Sequence, residues 1–291
     1  MGSRSSVDTE LWRALTQTLG SEPRRAQPLS GGDINQACRL ELADGRKFFV
    51  KYQRNPPAGL FEREAEGLRW LAEADALRLP EVLACGDDPP FLALEWIEPG
   101  PPAADHDERL GRGLSALHRH GAPSFGLACD NYIAILAQSN LQSSSWPAFY
   151  RSQRLEPQLR LAVDHGRASR RLRSLFEQLW PKLEARSGPA EPPARLHGDL
   201  WAGNSLSDAS GQPVLIDPAV YGGHREIDLA MMRLFGGFSE RCFAAYEEAF
   251  PLAEGHRERV GLYQLYPLMV HVNLFGGGYA GRVERILERI V

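Results

Sequence analysis

The stretch RLHGDLWAGNSLSDASGQPVLIDPA, residues 195–219, decides how the chain is read. It carries three oxygen-bearing side chains, Asp199, Asn204 and Asp217, separated by apolar runs and a turn. Pro213-Val214-Leu215-Ile216 reads as a short buried strand ending at Asp217. Asn204-Ser205-Leu206-Ser207 reads as its partner, and Asp208-Ala209-Ser210-Gly211 as the turn between them. A two-residue turn at Ser210-Gly211 puts Asn204 directly opposite Asp217, with Cβ atoms about 5 Å apart. A four-residue turn makes them diagonal neighbours at roughly 7–8 Å. In either register an amide oxygen and a carboxylate reach one hard cation. That donor set suits Mg²⁺, with water and phosphate oxygens completing the coordination.

Asp199 and Asn204 stand five residues apart, preceded by His197 and Gly198. This is the spacing of the H-R-D-x-x-x-x-N loop, in which the Asp takes a hydroxyl proton and the Asn holds a metal ion, with Gly198 here in place of the Arg. One Asn or Asp alone is an ordinary turn residue. Three at these spacings point to a phosphoryl-transfer centre.

Residues N-terminal to this stretch supply the other charges such a centre needs. Residues 8–19 read as a helix, capped by Asp8, striped by Leu11, Leu15 and Leu19, and closed by Gly20. In the loop Leu29-Ser30-Gly31-Gly32-Asp33-Ile34-Asn35-Gln36, the paired glycines let backbone N–H groups approach phosphate oxygens. After a hairpin turn at 43–46, the strand Lys47-Phe48-Phe49-Val50-Lys51 sets Lys51 in phase with Phe49. The following helix places Glu64 on one face with Phe61, Leu68 and Leu71. A carboxylate on an apolar face needs a cationic partner, and Lys51 is the candidate. Glu62 and Glu66 fall on the outer face.

Phe91-Leu92-Ala93-Leu94 is a buried strand that runs through Glu95-Trp96-Ile97-Glu98 into Pro99-Gly100-Pro101-Pro102, a boundary between lobes. Residues 103–120 form a helix striped by Leu110, Leu114 and Leu117. His118 and His120 lie near its end, where a cationic imidazole suits the helix dipole. Residues 146–167 and 169–186 read as two long helices. Their arginines, including Arg151, Arg154 and Arg160, read as solvated. Asp228 caps or anchors the helix after residue 225, and its main reading is a buried structural role. Helices at 257–275 and 281–291 complete the core, with His271, Asn273 and Tyr279 either packed in it or lining an acceptor pocket.

The 43% hydrophobic and 24% charged content is that of a globular protein in water. A net charge of -4 argues against a nucleic-acid partner. No apolar run is long enough to span a bilayer, and the first residues lack a hydrophobic signal region. The four cysteines have neither metal nor disulfide spacing, as for reduced thiols. The expectation is a cytoplasmic monomer or weak dimer.

HGDLWAGN followed by DPAVYGGHREIDLAMMRLFGGF resembles the fructosamine kinase (ketosamine 3-kinase) family. LSGGDINQACRL, KFFVK, FEREAEGL, DNYI, RLEPQLRLA and LFGGGY extend that resemblance over nearly the whole chain. The aminoglycoside phosphotransferases and choline kinases are broader relatives. They usually carry His after HGDL, where this chain has Trp201. The resemblance implies an α+β, bilobal, protein-kinase-like fold. Residues 1–95 would form an ATP-binding lobe, 96–102 a hinge, and 103–291 a mainly helical catalytic and acceptor-binding lobe. It implies ATP held by Gly31, Gly32, Asp33, Ile34, Lys51 and Glu64, with backbone groups of Glu95, Trp96 and Ile97 on the adenine. Mg²⁺ would sit on Asn204 and Asp217, with Asp199 as catalytic residue and Trp201, Asn131 and Gln138 on the acceptor side. The acceptor it implies is the 3-hydroxyl of a fructosamine or ribulosamine, free or on a protein lysine. The product then breaks down, so the outcome is deglycation. The alternative is another small-molecule acceptor of the aminoglycoside or choline type. A pseudokinase is disfavoured, because Lys51, Glu64, Asp199, Asn204 and Asp217 are all present. One departure concerns the acceptor side: many relatives have a Gly-rich turn where this chain has Ala134-Ile135-Leu136-Ala137.

Overall fold

The computed structural model describes residues 9–29 and 36–291. The proposed cap Asp8 and the glycine loop with Gly31, Gly32, Asp33 and Ile34 lie outside the described residues. Helix α1, Thr9–Leu19, turns Leu11, Leu15 and Leu19 inward. Five antiparallel strands follow around a second helix. They are β1 Pro23–Leu29, β2 Gln36–Leu42, β3 Lys47–Tyr52, β4 Val82–Asp87 and β5 Pro90–Glu95, with α2 Leu60–Ala72 after β3. Their order is β1-β2-β3-β5-β4, so β3 lies in the middle with both edges paired.

The alternation along β3 sorts its side chains between two cores. Phe48 and Val50 pack with α1, Leu40, Leu42 and Phe91 on one face. Phe49 lies on the other, against Leu60, Phe61, Ala65 and Leu68 of α2. Lys51 shares the phase of Phe49 and therefore points at α2. Glu62 and Glu66 are exposed, as the helical spacing requires.

From β5 the chain runs along the remaining, mainly helical part. Gly100 donates its N–H to Ser207 O at 3.0 Å. A Cβ on Gly100 would stand 2.6 Å from Asp208 O, so only glycine permits this approach. Arg78 bridges the same region, reaching Glu95 at 2.7 Å and also bonding Asp208. Helix α3 spans His106–His120 and starts later than the sequence suggests. Ahead of it, the N–H of Ala103 bonds Gly211 O at 3.1 Å, which ties this segment to the turn at 208–211.

A hairpin of β6 Asn131–Ile133 and β7 Leu136–Gln138 comes next. Its turn places Ala134 at φ 56, so the left-handed conformation that favours glycine is kept with alanine. The two long helices expected at 146–167 and 169–186 are both interrupted. The first is α4 Trp146–Phe149, a π-helical segment Tyr150–Leu155, and α5 Glu156–Asp164. The second is α6 Arg170–Leu179, a 3₁₀ turn Trp180–Lys182, and α7 Leu183–Arg186. Each break sits beside a proline, Pro157 or Pro181. A proline has no N–H to offer the preceding turn, and its ring crowds the carbonyl four residues back.

Two small antiparallel ladders frame the central stretch. β8 Ala194–Leu196 pairs with β11 Tyr221–Gly223, and β9 Ser205–Ser207 pairs with β10 Pro213–Leu215. Four helices close the fold: α8 Glu226–Phe235, α9 Glu240–Ala249, α10 His256–Phe275 and α11 Tyr279–Ile290. Leu71 of α2 packs with Leu110, Leu114, Leu200, Leu215 and Met232, so one core joins the helix behind the sheet to the central stretch. The architecture is α+β, a small antiparallel sheet followed by a helical body.

Helices α3 and α9 meet at Gly111, where a Cβ would stand 2.1 Å from Cys242 O. Gly111→Ala must push the two helices apart. The expected loss is about 1–3 kcal/mol, or roughly 2–4 °C in melting temperature per kcal/mol, read by scanning calorimetry.

Candidate active site

The loop from His197 to Asn204 is held from behind by one buried carboxylate. Asp228, fully buried on α8, accepts the N–H of His197 at 2.8 Å and of Gly198 at 2.9 Å. His118 Nε2 stands 3.1 Å from the same carboxylate, and Tyr246 Oη lies 2.8 Å from the other ring nitrogen. Burial opposes the charge on Asp228, but His118 and these N–H groups hold its pKa below the usual carboxylate range. Gly198 has φ +83, and a Cβ there would meet Ala219 O at 2.0 Å. That contact accounts for glycine where the H-R-D pattern has arginine. His197 is buried, and burial lowers its pKa. Its ring spans the loop: Nε2 donates to Ile216 O at 2.9 Å and Nδ1 accepts the Asp199 N–H at 3.3 Å.

Asn204 Nδ2 donates to Asp199 Oδ2 at 3.1 Å and to Asp199 O at 2.9 Å. It also lies 3.4 Å from the backbone oxygen of Asp217. The hairpin register is neither of the two the sequence suggests. Val214 faces Leu206, the loop has three residues, and Asn204 faces Ile216, whose N–H bonds Asn204 O at 3.0 Å. Asp208 explains the extra residue, since its Oδ1 accepts from Ser210 N, Ser210 Oγ and Gln212 N. Asp217 follows at φ 55, a left-handed conformation rare outside glycine.

Lys51 enters from β3 and meets two carboxylates, Glu64 at 2.8 Å and Asp217 at 2.5 Å. Burial alone would lower its pKa, but the two carboxylates outweigh it and hold the ammonium well above its ordinary value. With Asp199, one ammonium faces three carboxylates, an excess of two negative charges when all are ionised. Asp199 feels that excess. Burial first, then the charge of Asp217, pushes its pKa up to about 7. The side chains fit a divalent metal. Among the described residues, Asn204 Oδ1 and Asp217 Oδ2 make no hydrogen bond, and both are hard oxygen donors. They would supply only part of a coordination sphere, leaving room for phosphate oxygens and water.

Of the acceptor-side candidates, Trp201 is 41% exposed beside Asp199, its ring packed over Gly203. Asn131 and Gln138 are buried, and their amides bond Val220 O, Ala219 O and each other. Asn273 is buried and bonds Gln158. His271 and Tyr279 group with the exposed Phe235 and Phe275. At the proposed hinge, the Glu95 side chain pairs with Arg78, Arg39 stacks over Trp96 at 4.8 Å, and Ile97 is buried. Two side chains are also corrected. His118 is a buried partner of Asp228, not an end-of-helix cation; it stands four residues after Leu114, on the apolar stripe. Arg154 is fully buried, not solvated.

The sequence profile of the fructosamine kinase family matches residues 7–291. The chain belongs to the fructosamine kinase family. It is 38% identical to a probable ketoamine kinase of Enterococcus faecium, over 90% of this chain and 93% of that protein. It is 35% identical to the chloroplastic protein-ribulosamine 3-kinase of Arabidopsis thaliana, over 94% of this chain and 85% of that one. A crystal structure assigned as a fructosamine-3-kinase, from Thermobifida fusca, superposes with a TM-score of 0.90 at 40% identity, over 98% of this chain and 99% of that one. An aminoglycoside phosphotransferase, 13% identical and covering 98% of this chain and 96% of that one, shares the fold with a TM-score of 0.63. The fold is therefore that of the protein-kinase-like phosphotransferases, and this chain is a phosphotransferase of the ketosamine kinase family.

Read as the base, Asp199 must be deprotonated to act, so its raised pKa predicts an acid limb in kcat/KM. Activity falls as pH drops through about 7, which a pH–rate profile of the free enzyme measures. The native state also holds this proton more tightly than the unfolded chain does. Ionising Asp199 thus weakens the fold progressively between its ordinary 3.8 and about 7. Asp199→Asn is expected to abolish turnover yet raise the melting temperature at pH 8, by roughly 2–4 °C for each kcal/mol released. At pH 4 the gain should vanish.

Proposed function

We propose that the protein is an ATP- and Mg²⁺-dependent kinase that phosphorylates the 3-hydroxyl of a ketosamine, a fructosamine or ribulosamine on lysine. The observation that carries this reading is the pairing of Lys51 with Asp217 and of Asn204 with Asp199, in a chain of the fructosamine kinase family. The name of the Arabidopsis relative supports a protein-borne ribulosamine as acceptor.

In this proposal ATP lies between residues 1–95 and 103–291, with 96–102 as the hinge. Gly31, Gly32, Asp33 and Ile34 cover its phosphates, and backbone groups of Glu95, Trp96 and Ile97 face the adenine. Lys51, oriented by Glu64, neutralises charge on the phosphates. Asn204 and Asp217 would hold magnesium, which would supply charge neutralisation to the phosphates. Asp199 takes the proton of the acceptor hydroxyl as its oxygen bonds the γ-phosphorus, and ADP leaves with the electron pair of the broken P–O bond. Positioning and electrostatics supply most of the rate. Trp201 offers a ring face to the acceptor beside Asp199. The ketosamine 3-phosphate then breaks down, which removes the sugar from its carrier.

The deciding experiment follows Mg²⁺-dependent ADP release with fructosyl-lysine, ribulosyl-lysine, an aminoglycoside and choline. Turnover confined to the two ketosamines is expected. Turnover only with the aminoglycoside or choline would overturn the acceptor and leave the kinase standing.

A further inference from the structure

Arg154 is the largest fully buried side chain, and no carboxylate meets it among the described residues. Its guanidinium lies over the ring of Tyr221 at 3.8 Å and near Phe149 at 4.6 Å. Nη1 donates to Ser139 O at 2.5 Å, and Nη2 to Asn140 Oδ1 at 2.7 Å. A charge buried at such expense without a counter-ion calls for a role beyond packing.

Its bonds begin a directional chain. A guanidinium can only donate, so the Asn140 carbonyl must face it and the Asn140 amide nitrogen must point away. That nitrogen donates to Asn131 Oδ1 at 2.9 Å. Gln138 Nε2 donates to the same oxygen at 2.8 Å, while Tyr266 Oη donates to Gln138 Oε1 at 2.6 Å. With its oxygen taken twice, Asn131 can only donate from Nδ2, to Val220 O at 2.8 Å. Gln138 Nε2 also reaches Ala219 O at 3.2 Å. Each amide orientation follows from the donor-only group at the start.

The chain ends on the two carbonyls that follow Asp217 by two and three residues. Asp217 sits in a left-handed conformation that its surroundings must hold. Its entry is held by Ile216 N on Asn204 O, and Ala219 N on His197 O, at 2.9 Å, ties the exit to the catalytic loop.

We propose that Arg154, acting through Asn140, Asn131 and Gln138, is a positioning residue that fixes the exit of the Asp217 turn and so sets affinity for the metal–nucleotide complex. Asn131 and Gln138 then serve the metal side of the site, not the acceptor. This rests on the proposed metal role of Asp217.

The test is calorimetric titration with a non-hydrolysable ATP analogue, in Mg²⁺ and in EDTA, alongside the KM for acceptor. Gln138→Met keeps the buried volume and removes both donor bonds. Arg154→Met removes the origin of the chain, and if it does not fold, Gln138→Met decides. The expected result is affinity lowered about 10–100-fold in Mg²⁺, with metal-free affinity and acceptor KM unchanged. Unchanged affinity in Mg²⁺ would overturn the proposal, as would an equal loss with and without metal, the mark of general damage. A rise in acceptor KM alone would return these amides to the acceptor. Nucleotide binding by the wild-type protein that is indifferent to Mg²⁺ would instead overturn the metal role of Asp217, and this inference with it.

Discussion

A buried ammonium shared by two carboxylates holds the site together. Lys51 joins the centre of the sheet to α2 through Glu64 and to the loop after β10 through Asp217. Removing such a cation from water is expensive, and a single partner rarely compensates. Two do here, and three separate segments of chain must then converge on one nitrogen. The sheet cannot slide or α2 rotate without stranding a charge. The same arrangement leaves more negative than positive charge, which is what a metal–nucleotide complex can neutralise. The raised pKa of Asp199 is the local record of that imbalance.

Close backbone approach is the second constraint, and it converts charge into geometry. Gly198 lets the loop from His197 to Asn204 lie against Ala219 O, and Gly100 lets the segment after β5 lie against Asp208. Asp228 then collects the N–H groups of His197 and Gly198 that the tight loop leaves unpaired. Behind it, His118 and Tyr246 extend the bonding to α3 and α9. The side chain proposed as the base, Asp199, is thus placed by groups behind the loop.

The two corrected residues share one cause. His118 and Arg154 are ionisable, and ionisable side chains on helices are usually solvated. His118 is instead buried against Asp228 and Tyr246, and Arg154 against Ser139 O and the Asn140 side chain. His118 left a trace in the sequence, because it continues the stripe of Leu110 and Leu114. Arg154 left a weaker one. It sits three residues before Pro157, in a segment whose wide turn could not be foreseen from a 3.6-residue period.

Local pattern determined a good deal by itself. The alternation of Lys47 to Lys51, the helical spacing of Phe61, Glu64, Leu68 and Leu71, and the interval from Asp199 to Asn204 place the main candidate groups of the site. Each of these is a short-range relation between side-chain period and burial, so it is written in neighbouring residues. Tertiary structure decided what depends on distant partners. The three-residue turn arose because Asp208 could bond three donors at once, which no count of turn residues reveals. The left-handed Asp217, the glycine demanded at 198 by Ala219, and the burial of Arg154 against Tyr221 all rest on contacts between separate segments of the chain. A backbone carbonyl carries no residue identity, so a contact with one leaves no signature in the sequence until the fold supplies it.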